Sequence, residues 1–306
     1  MNQIEISHWP KPWEREILNT NSFQFSGGEI QAKASLVPQH FSGDVTITAR
    51  LQSSDDVIHL LLLLDLLNEQ CSFGGICNLV VPYFPYARQD RRMAHGEAFS
   101  LKSIARLIDD HPWHDNIIIC DPHSDVTPAL LNNCRVIEQD ALVRAHSGLQ
   151  GVLKDSQTVI VSPDAGAYKK AWKTASAYGL DVVTATKVRC TKTGDILSTE
   201  LPEGHKVAGR ACLIVDDICD GGRTFLELAK VLKKAGASKV LLYVTHGIFS
   251  KGVDVLYQDI DGIYTTDSFK SESVLRADDM LWLWPNQPFG VMPLDFDSYG
   301  NLRSFS

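Results

Sequence analysis

The sequence predicts an α/β protein built as two doubly wound domains with mainly parallel sheets. Three observations predict it. Short apolar runs are continuous rather than alternating, as strands covered on both faces require. They alternate with helical stretches along the whole chain, the order that gives layered α/β folds. The alternation also runs twice: one set of strands closes near Asp121 and a second opens near Thr158, with Ser147, Gly148 and Gly151 marking the crossing between them. The expected boundary is near residue 148, giving domains 1–148 and 149–306. At 306 residues and 44% hydrophobic, the chain can bury two cores of ordinary size.

The expected strands are Asn78–Pro82, Asn116–Cys120, Thr158–Val161, Asp181–Ala185, Ala211–Val215 and Lys239–Thr245. Three helices are expected between them. Asp55–Glu69 has Ser53 as its cap, with Asp56 three residues on. Leu101–Ile108 is the second. In Thr224–Ala235, Thr224 and Glu227 form a capping pattern, Phe225, Leu228 and Leu232 fall on one face, and Gly236 stops the helix.

Charge and composition narrow the function. The net charge of −8 argues against a nucleic-acid polymer as partner but leaves room for a small anion in a local pocket. No run of about 18 apolar residues exists to span a membrane. The N-terminus, Met1–Trp13, lacks the layout of a secretion signal. Seven cysteines, none in C-x-x-C spacing, read as reduced thiols of a cytoplasmic protein.

Three expected strands run into acidic residues: Asp121, then Asp164, then the pair Asp216 and Asp217. Ligands of open α/β sheets gather at the carboxyl ends of strands. Carboxylates there suit Mg²⁺ or ribose hydroxyls, although aspartate also simply starts turns. After the Asp216–Asp217 pair come Asp220, Gly221, Gly222, Arg223 and Thr224, then a helix. Glycines that turn amides inward, a helix N-terminus and a threonine hydroxyl make a seat for a monophosphate. Arg223 can add a charged, bidentate grip. The chain has no G-x-x-x-x-G-K-[ST], so any ATP is held by other means.

These segments resemble a known family. Val215-Asp216-Asp217 and its glycine turn are similar to the motif shared by phosphoribosyltransferases and ribose-phosphate pyrophosphokinases. The pyrophosphokinases are singled out by Pro82–Arg92, which resembles their ATP-binding segment, and by Asp121-Pro122-His123-Ser124, which resembles their Asp-x-His element. Val161–Gly166 is similar to their Ser-Pro-Asp loop, Lys187-x-Arg189 to their catalytic Lys-x-Arg, and Thr245–Ser250 to a further signature. The resemblance runs in register from Phe25 to Ser250. It implies two phosphoribosyltransferase-like domains and transfer of the β,γ-diphosphate of MgATP to the anomeric hydroxyl of ribose 5-phosphate.

The resemblance also implies roles. Arg88, Gln89 and Asp90 would bind ATP, joined by Phe25 and Glu29 from a neighbouring subunit of a homo-oligomer, dimer or hexamer. His123, Asp121 and Asp164 would serve the metal, with His123 also catalytic beside Lys187 and Arg189. Asp216 and Asp217 would grip the ribose hydroxyls, directly or through Mg²⁺; Gly221, Gly222, Arg223 and Thr224 would seat the 5-phosphate, with Asp220 in the same ribose-phosphate site. From the residues alone, Lys187 and Arg189 share one face of a strand and are otherwise neutral. Arg91 and Arg92 read equally well as a solvated face, His95 and Glu97 as loop residues without a role, and His246 as structural.

The chain departs from the family pattern at four places. The family's Asp-Thr-Gly-Gly-Thr turn is Asp220-Gly221-Gly222-Arg223-Thr224 here. Its Phe-Ser-Asp-Gly-Glu is Phe25-Ser26-Gly27-Gly28-Glu29. The N-terminus is expected to lack the usual opening strand and helix, and the tail from Trp284 is unlike the family's closing helix. Arg223 opens one alternative acceptor, a 5-substituted ribose phosphate such as ADP-ribose. A non-catalytic regulatory subunit and a plain phosphoribosyltransferase are the other readings.

Overall fold

The computed structural model describes residues 4–18, 20–34, 40–189, 196–271, 274–275 and 288–303. The chain forms two compact units. One runs up to Glu138 and recovers the tail from Leu294; the other runs from Gln139 to Pro293. The division lies ahead of residue 148, and the last segment belongs to the first unit rather than the second.

In chain order the first unit contains β1 (Ile4–Lys11), β2 (Glu14–Leu18), β3 (Thr20–Gln24), β4 (Ile30–Ala34), β5 (His40–Phe41), β6 (Asp44–Ala49), α1 (Ser54–Gln70), β7 (Ser72–Phe73), β8 (Cys77–Val80), α2 (Ser100–Asp109), β9 (Asn116–Cys120), α3 (Val126–Ala129) and β10 (Cys134–Ile137). Six of these strands make one sheet in the order β10-β9-β8-β6-β1-β2. The first four are parallel, while β1 runs antiparallel to β6 and to β2. An opening strand is therefore present, against the expectation for the N-terminus. Its residues Ile4 and Ile6 enter the core, and the intervening polar and aromatic residues hid the pattern.

Helix α1 is held at its start by the expected capping box. Ser53 Oγ accepts from the Asp56 amide at 3.2 Å, and the Asp56 carboxylate accepts from the Ser53 amide at 2.8 Å. Its Leu60, Leu63, Leu64 and Leu67 pack with Ile47, Leu79, Ile117 and Ile119 from one face of the sheet. Period-2 alternation sends Thr46, Asn78 and Ile118 to the other face. There the tail docks. Thr46 Oγ1 donates to the Asp297 carbonyl at 3.3 Å and Asn78 Nδ2 to the Ser298 carbonyl at 2.9 Å. Arg135 donates to Asn301 Oδ1 at 2.7 Å, to the Tyr299 carbonyl at 3.1 Å and to the Gly300 carbonyl. Arg15 pairs with Asp295 at 2.8 Å. Gly300 turns at φ 68°, where a side chain would collide with Ile118. The expectation about the tail began at Trp284, which lies outside the described residues; the part from Phe289 to Met292 is a strand and 294–303 a docked loop.

Because charge-assisted hydrogen bonds each contribute about 1.5–3 kcal/mol, Arg135→Ala should destabilise the first unit by roughly that amount. Thermal unfolding would show it, and amide exchange should quicken in 296–302. Unchanged exchange there would mean that the guanidinium does not hold the tail.

The second unit contains α4 (Gln139–Ala145), α5 (Gln150–Leu153), β11 (Thr158–Ser162), α6 (Tyr168–Tyr178), β12 (Asp181–Thr184), β13 (Thr186–Arg189), β14 (Ile196–Glu200), β15 (Ala211–Cys219), α7 (Arg223–Lys234), β16 (Lys239–Gly247), β17 (Gly262–Thr266) and β18 (Phe289–Met292). Its sheet, β12-β11-β15-β16-β17-β18, is wholly parallel. One face, with Val159, Val161, Cys212 and Ile214, packs on Leu228 and Leu232 of α7. The other, with Ile160, Leu213, Val215 and Tyr243, packs on Ala171 and Ala175 of α6. Both units are thus α/β with parallel sheets, as read from the sequence. Strands β13 and β14 form a separate antiparallel hairpin.

Candidate active site

In the first unit the carboxyl ends of β8 and β9 lie side by side. The Val81 amide donates to the Ile118 carbonyl at 2.8 Å, and the Cys120 amide donates back to Pro82 at 3.1 Å. The segment leaving β8 is nailed down by apolar anchors. Tyr83, Phe84 and Ala87 are buried, and the Tyr86 hydroxyl meets Ser54 Oγ at 2.7 Å. This fixed base presents Arg88 and Gln89 to solvent. At the end of β9, Asp121 is buried in the left-handed region at φ 39°, a conformation costly for a residue with a Cβ. Its amide donates to the Ile137 carbonyl at 2.8 Å, and two residues on His123 is exposed.

These residues line one cleft of about 620 Å³. Its walls are Arg88, Gln89, Asp90, Arg91, Met93, Glu97, Ala98, Ser100 and His123. The volume suits a nucleotide-sized molecule. Asp90 is only 7% exposed, and its carboxylate accepts two bonds from Arg91, at 2.7 and 2.9 Å. The Arg91 bonds outweigh burial and hold the Asp90 carboxyl down at about 2. Of the Asp90–Arg91 pair, the arginine is the exposed, cleft-facing member. Glu97, unassigned from the sequence, closes a loop by accepting from the amides of Met93 at 2.7 Å and Ala94 at 3.1 Å. The signal was a glutamate three residues after a turn start, the spacing of a capping box without its serine. Phe25 and Glu29 are not in this cleft. They stand on the exposed tip of the β3–β4 hairpin, where the Phe25 amide donates to the Glu29 carbonyl at 2.8 Å and the ring meets Phe23 edge-on at 5.0 Å.

In the second unit β15 carries the acidic pair. The strand was expected to end at Val215 but continues to Cys219, because β16 pairs with it as far as Gly247. Asp216 and Asp217 are thus strand residues, held by the ladder rather than by a turn. The Asp217 amide donates to Asp216 Oδ1 at 2.9 Å. Burial, then the charge of Asp217 and, more weakly, that of Asp164, push the Asp216 carboxyl well above the ordinary range. Asp164 lies in the turn ahead of α6: its Oδ1 accepts from the amides of Gly166 at 3.0 Å and Ala167 at 3.2 Å. Its local role is a turn cap, and Ser162 Oγ donates to its carbonyl at 2.7 Å.

The turn after β15 corrects one expectation. Helix α7 begins at Arg223, not Thr224, and the expected Thr224–Glu227 capping box does not form. The helix instead starts from Gly222, at φ 76°, with no side chain capping it. A left-handed residue at this point needs glycine, and that requirement overrides the local capping pattern. The amides of Gly221, Gly222, Arg223 and Thr224 consequently donate to no protein group among the described residues. Such open amides at a helix N-terminus favour an anion. A side chain at Gly222 would also collide with Leu256, which is buried. Gly222→Ala should cost roughly 2–4 kcal/mol from the backbone and the clash together. A thermal midpoint unchanged from wild type would contradict it.

Lys187 and Arg189 lie on β13, opposite Thr199 and Ile196 of β14. Their side chains fall outside the described residues. His246 is buried, its Nδ1 2.8 Å from Ser268 Oγ, a structural placement as expected. Among the described residues no three His, Cys, Asp or Glu side chains gather closely enough to enclose a metal. No disulfide joins the described cysteines, and no described helix is long and apolar enough to cross a membrane.

Comparison with known proteins identifies the family of the chain. Residues 11–111 match the N-terminal domain of ribose phosphate pyrophosphokinase, and residues 140–276 match the phosphoribosyl transferase domain. The chain is 31% identical over 245 residues to the ribose-phosphate pyrophosphokinase of Cereibacter sphaeroides, covering 77% of this chain and 69% of that one. The chain belongs to the ribose-phosphate pyrophosphokinase family. The family enzyme of Chromobacterium violaceum is 30% identical over 273 residues, 83% of this chain and 76% of that one. A crystal structure of phosphoribosylpyrophosphate synthetase from Mycobacterium smegmatis shares the fold, with a TM-score of 0.73 at 21% identity over 90% of this chain and 86% of that one.

Proposed function

We propose that this chain is a ribose-phosphate diphosphokinase: it transfers the β,γ-diphosphate of MgATP to the anomeric hydroxyl of ribose 5-phosphate, giving phosphoribosyl pyrophosphate and AMP. The observation that carries the reading is the set of open amides at Gly221–Thr224 directly after the Asp216–Asp217 pair, in a chain of this family. The amides, with Arg223 and the Thr224 hydroxyl, seat the 5-phosphate, and Asp220 belongs to the same ribose-phosphate site. Asp216 and Asp217 accept from the ribose hydroxyls. Arg88 and Gln89 hold ATP over the floor of the cleft, with Asp90 setting the place of Arg91.

In the reaction the sugar O1 attacks the β-phosphorus in line and gives up its hydroxyl proton to solvent, the bond from that phosphorus to the α,β-bridging oxygen breaks, and AMP leaves with the electron pair. Lys187, Arg189 and His123 offset charge that builds on the moving diphosphate, so catalysis is positioning plus neutralisation. Mg²⁺ supplies further neutralisation of the phosphate oxygens when bound. It takes few protein ligands and keeps water and phosphate oxygens; His123, Asp121 and Asp164 are the residues that would hold it in this chain. In the same reading the protein works in the cytoplasm as a homo-oligomer, and the exposed Phe25–Glu29 tip reaches ATP on a neighbouring subunit.

The test is AMP release from ATP and Mg²⁺ with a panel of acceptors, the product being read by phosphorus spectroscopy. Turnover with ribose 5-phosphate supports the proposal. Turnover with ADP-ribose alone would move the acceptor to a 5-substituted ribose. Binding of MgATP without AMP release from any acceptor would indicate a regulatory subunit.

A further inference from the structure

The signature Thr245–Ser250 has no part in the roles given so far, yet its end is fastened to the phosphate turn. The amides of Ile248 and Phe249 both donate to the Cys219 carbonyl, at 2.9 and 3.0 Å, and the Ser250 amide donates to the Asp220 carbonyl at 3.2 Å. Phe249 is buried, which pins the loop from below. The next residue is Lys251. Three backbone bonds therefore set the place of its main chain relative to Gly221.

The side chain follows that placement. A Cβ placed on Gly221 would lie 3.6 Å from Lys251 Cε, 3.7 Å from Cδ and 3.9 Å from Ser250 Oγ. The lysine stem thus lies over the side of Gly221 on which a side chain would stand, beside the turn whose amides are open. Lys251 is exposed and has no carboxylate partner among the described residues; Arg223, two residues after Gly221 in the same turn, has none either. Two cations without counter-charges border one set of open amides. An ammonium is a point charge on a flexible stem, able to follow a phosphate oxygen.

We propose that Lys251 is an acceptor-binding residue: its ammonium closes over the Gly221–Thr224 turn onto the 5-phosphate, together with Arg223. The assignment rests on the diphosphokinase reading. Removing the charge should weaken acceptor binding far more than it slows the bound complex, since the reacting O1 lies at the other end of the sugar.

The experiment compares wild type with Lys251→Gln, Lys251→Arg and, as a control on an exposed face of α7, Lys230→Gln. The readouts are steady-state kinetics in acceptor and calorimetric titration with inorganic phosphate. Lys251→Gln should raise the acceptor KM about tenfold, equivalent to about 1.4 kcal/mol, with kcat and the ATP KM moving far less. Lys251→Arg should recover most of the loss, and Lys230→Gln should match wild type. The wild-type KM should also climb with salt more steeply than that of Lys251→Gln. An unchanged acceptor KM in a folded, active Lys251→Gln protein overturns the assignment and leaves the reaction standing. If wild type turns over no ribose phosphate, the reaction is lost, and the phosphate titration still decides Lys251: equal affinity in wild type and Lys251→Gln overturns it.

Discussion

Asp216→Asn should make the protein more stable and nearly inactive. The two effects have one physical source. Asp216 is crowded by burial and by the charge of Asp217, so its ionised form is held at a cost that only a ligand offsets. Asparagine keeps the shape and can still accept from the Asp217 amide, the one backbone bond that Asp216 Oδ1 makes. It removes the like charge. A gain of about 1–2 kcal/mol is the usual size of such relief, or a few degrees in the midpoint of the second unit. The sign with pH follows from the raised value. A carboxyl whose folded value is raised gives its full stability below the unfolded value near 3.9. That contribution is lost as pH climbs through the folded value. The advantage of Asn over Asp should therefore be widest at neutral pH and close toward pH 4. Turnover should fall by about two orders of magnitude or more, because the ribose hydroxyls lose a charged acceptor. Melting curves at several pH values, with AMP release in parallel, check both halves. A variant less stable than wild type at pH 7 would mean that the Asp216–Asp217 pair is a structural element and not a strained binding site.

Much of this was legible in the sequence because the relevant signals were local. The runs at Asn116–Cys120 and Thr158–Val161 are uninterrupted β-branched and apolar residues, and they became the buried strands β9 and β11. Ser53 and Asp56 hold α1 by bonds between near neighbours in the chain. The failures came where distant or backbone-level forces decided. Nothing local marks β1, whose place depends on pairing with β6 some forty residues on. The strand end at Val215 was misread because aspartates suggest a turn, whereas the ladder with β16 carries the chain to Cys219. The start of α7 was set by the left-handed backbone of Gly222, not by Thr224 and Glu227, which fit a capping pattern equally well on paper. The docking of 294–303 on the first unit is invisible locally, since Arg135, Asn78 and Thr46 meet it only after the sheet has formed. For the site, residue types at strand ends were readable, but which polar atoms were already in use was not: Asp90 is committed to Arg91, and Asp164 to two amides.

Lys187→Ala should abolish most of the chemical step while the protein folds and binds as before. Two arguments support the separation. Lys187 belongs to β13, which among the described residues pairs only with β14, in a hairpin apart from the six-stranded sheet of the second unit. Its backbone bonds to β14 survive any side-chain change, and alanine is tolerated in a strand at a cost within about 1 kcal/mol. The chemistry has no such reserve. In diphosphoryl transfer the enzyme does little covalent work, so each cation on the moving phosphate oxygens acts mainly in the transition state. Removal of one such preorganised donor costs about 10²–10³ in kcat. The expected result is that loss in kcat, with KM for ATP and acceptor within a few-fold of wild type and an unchanged melting curve. Arginine at the same position should restore only part of the rate, since its planar fork replaces a point charge. Near-normal turnover in Lys187→Ala would remove the lysine from the mechanism, while a collapsed melting curve would show that the hairpin is a folding element whose loss accounts for the rate.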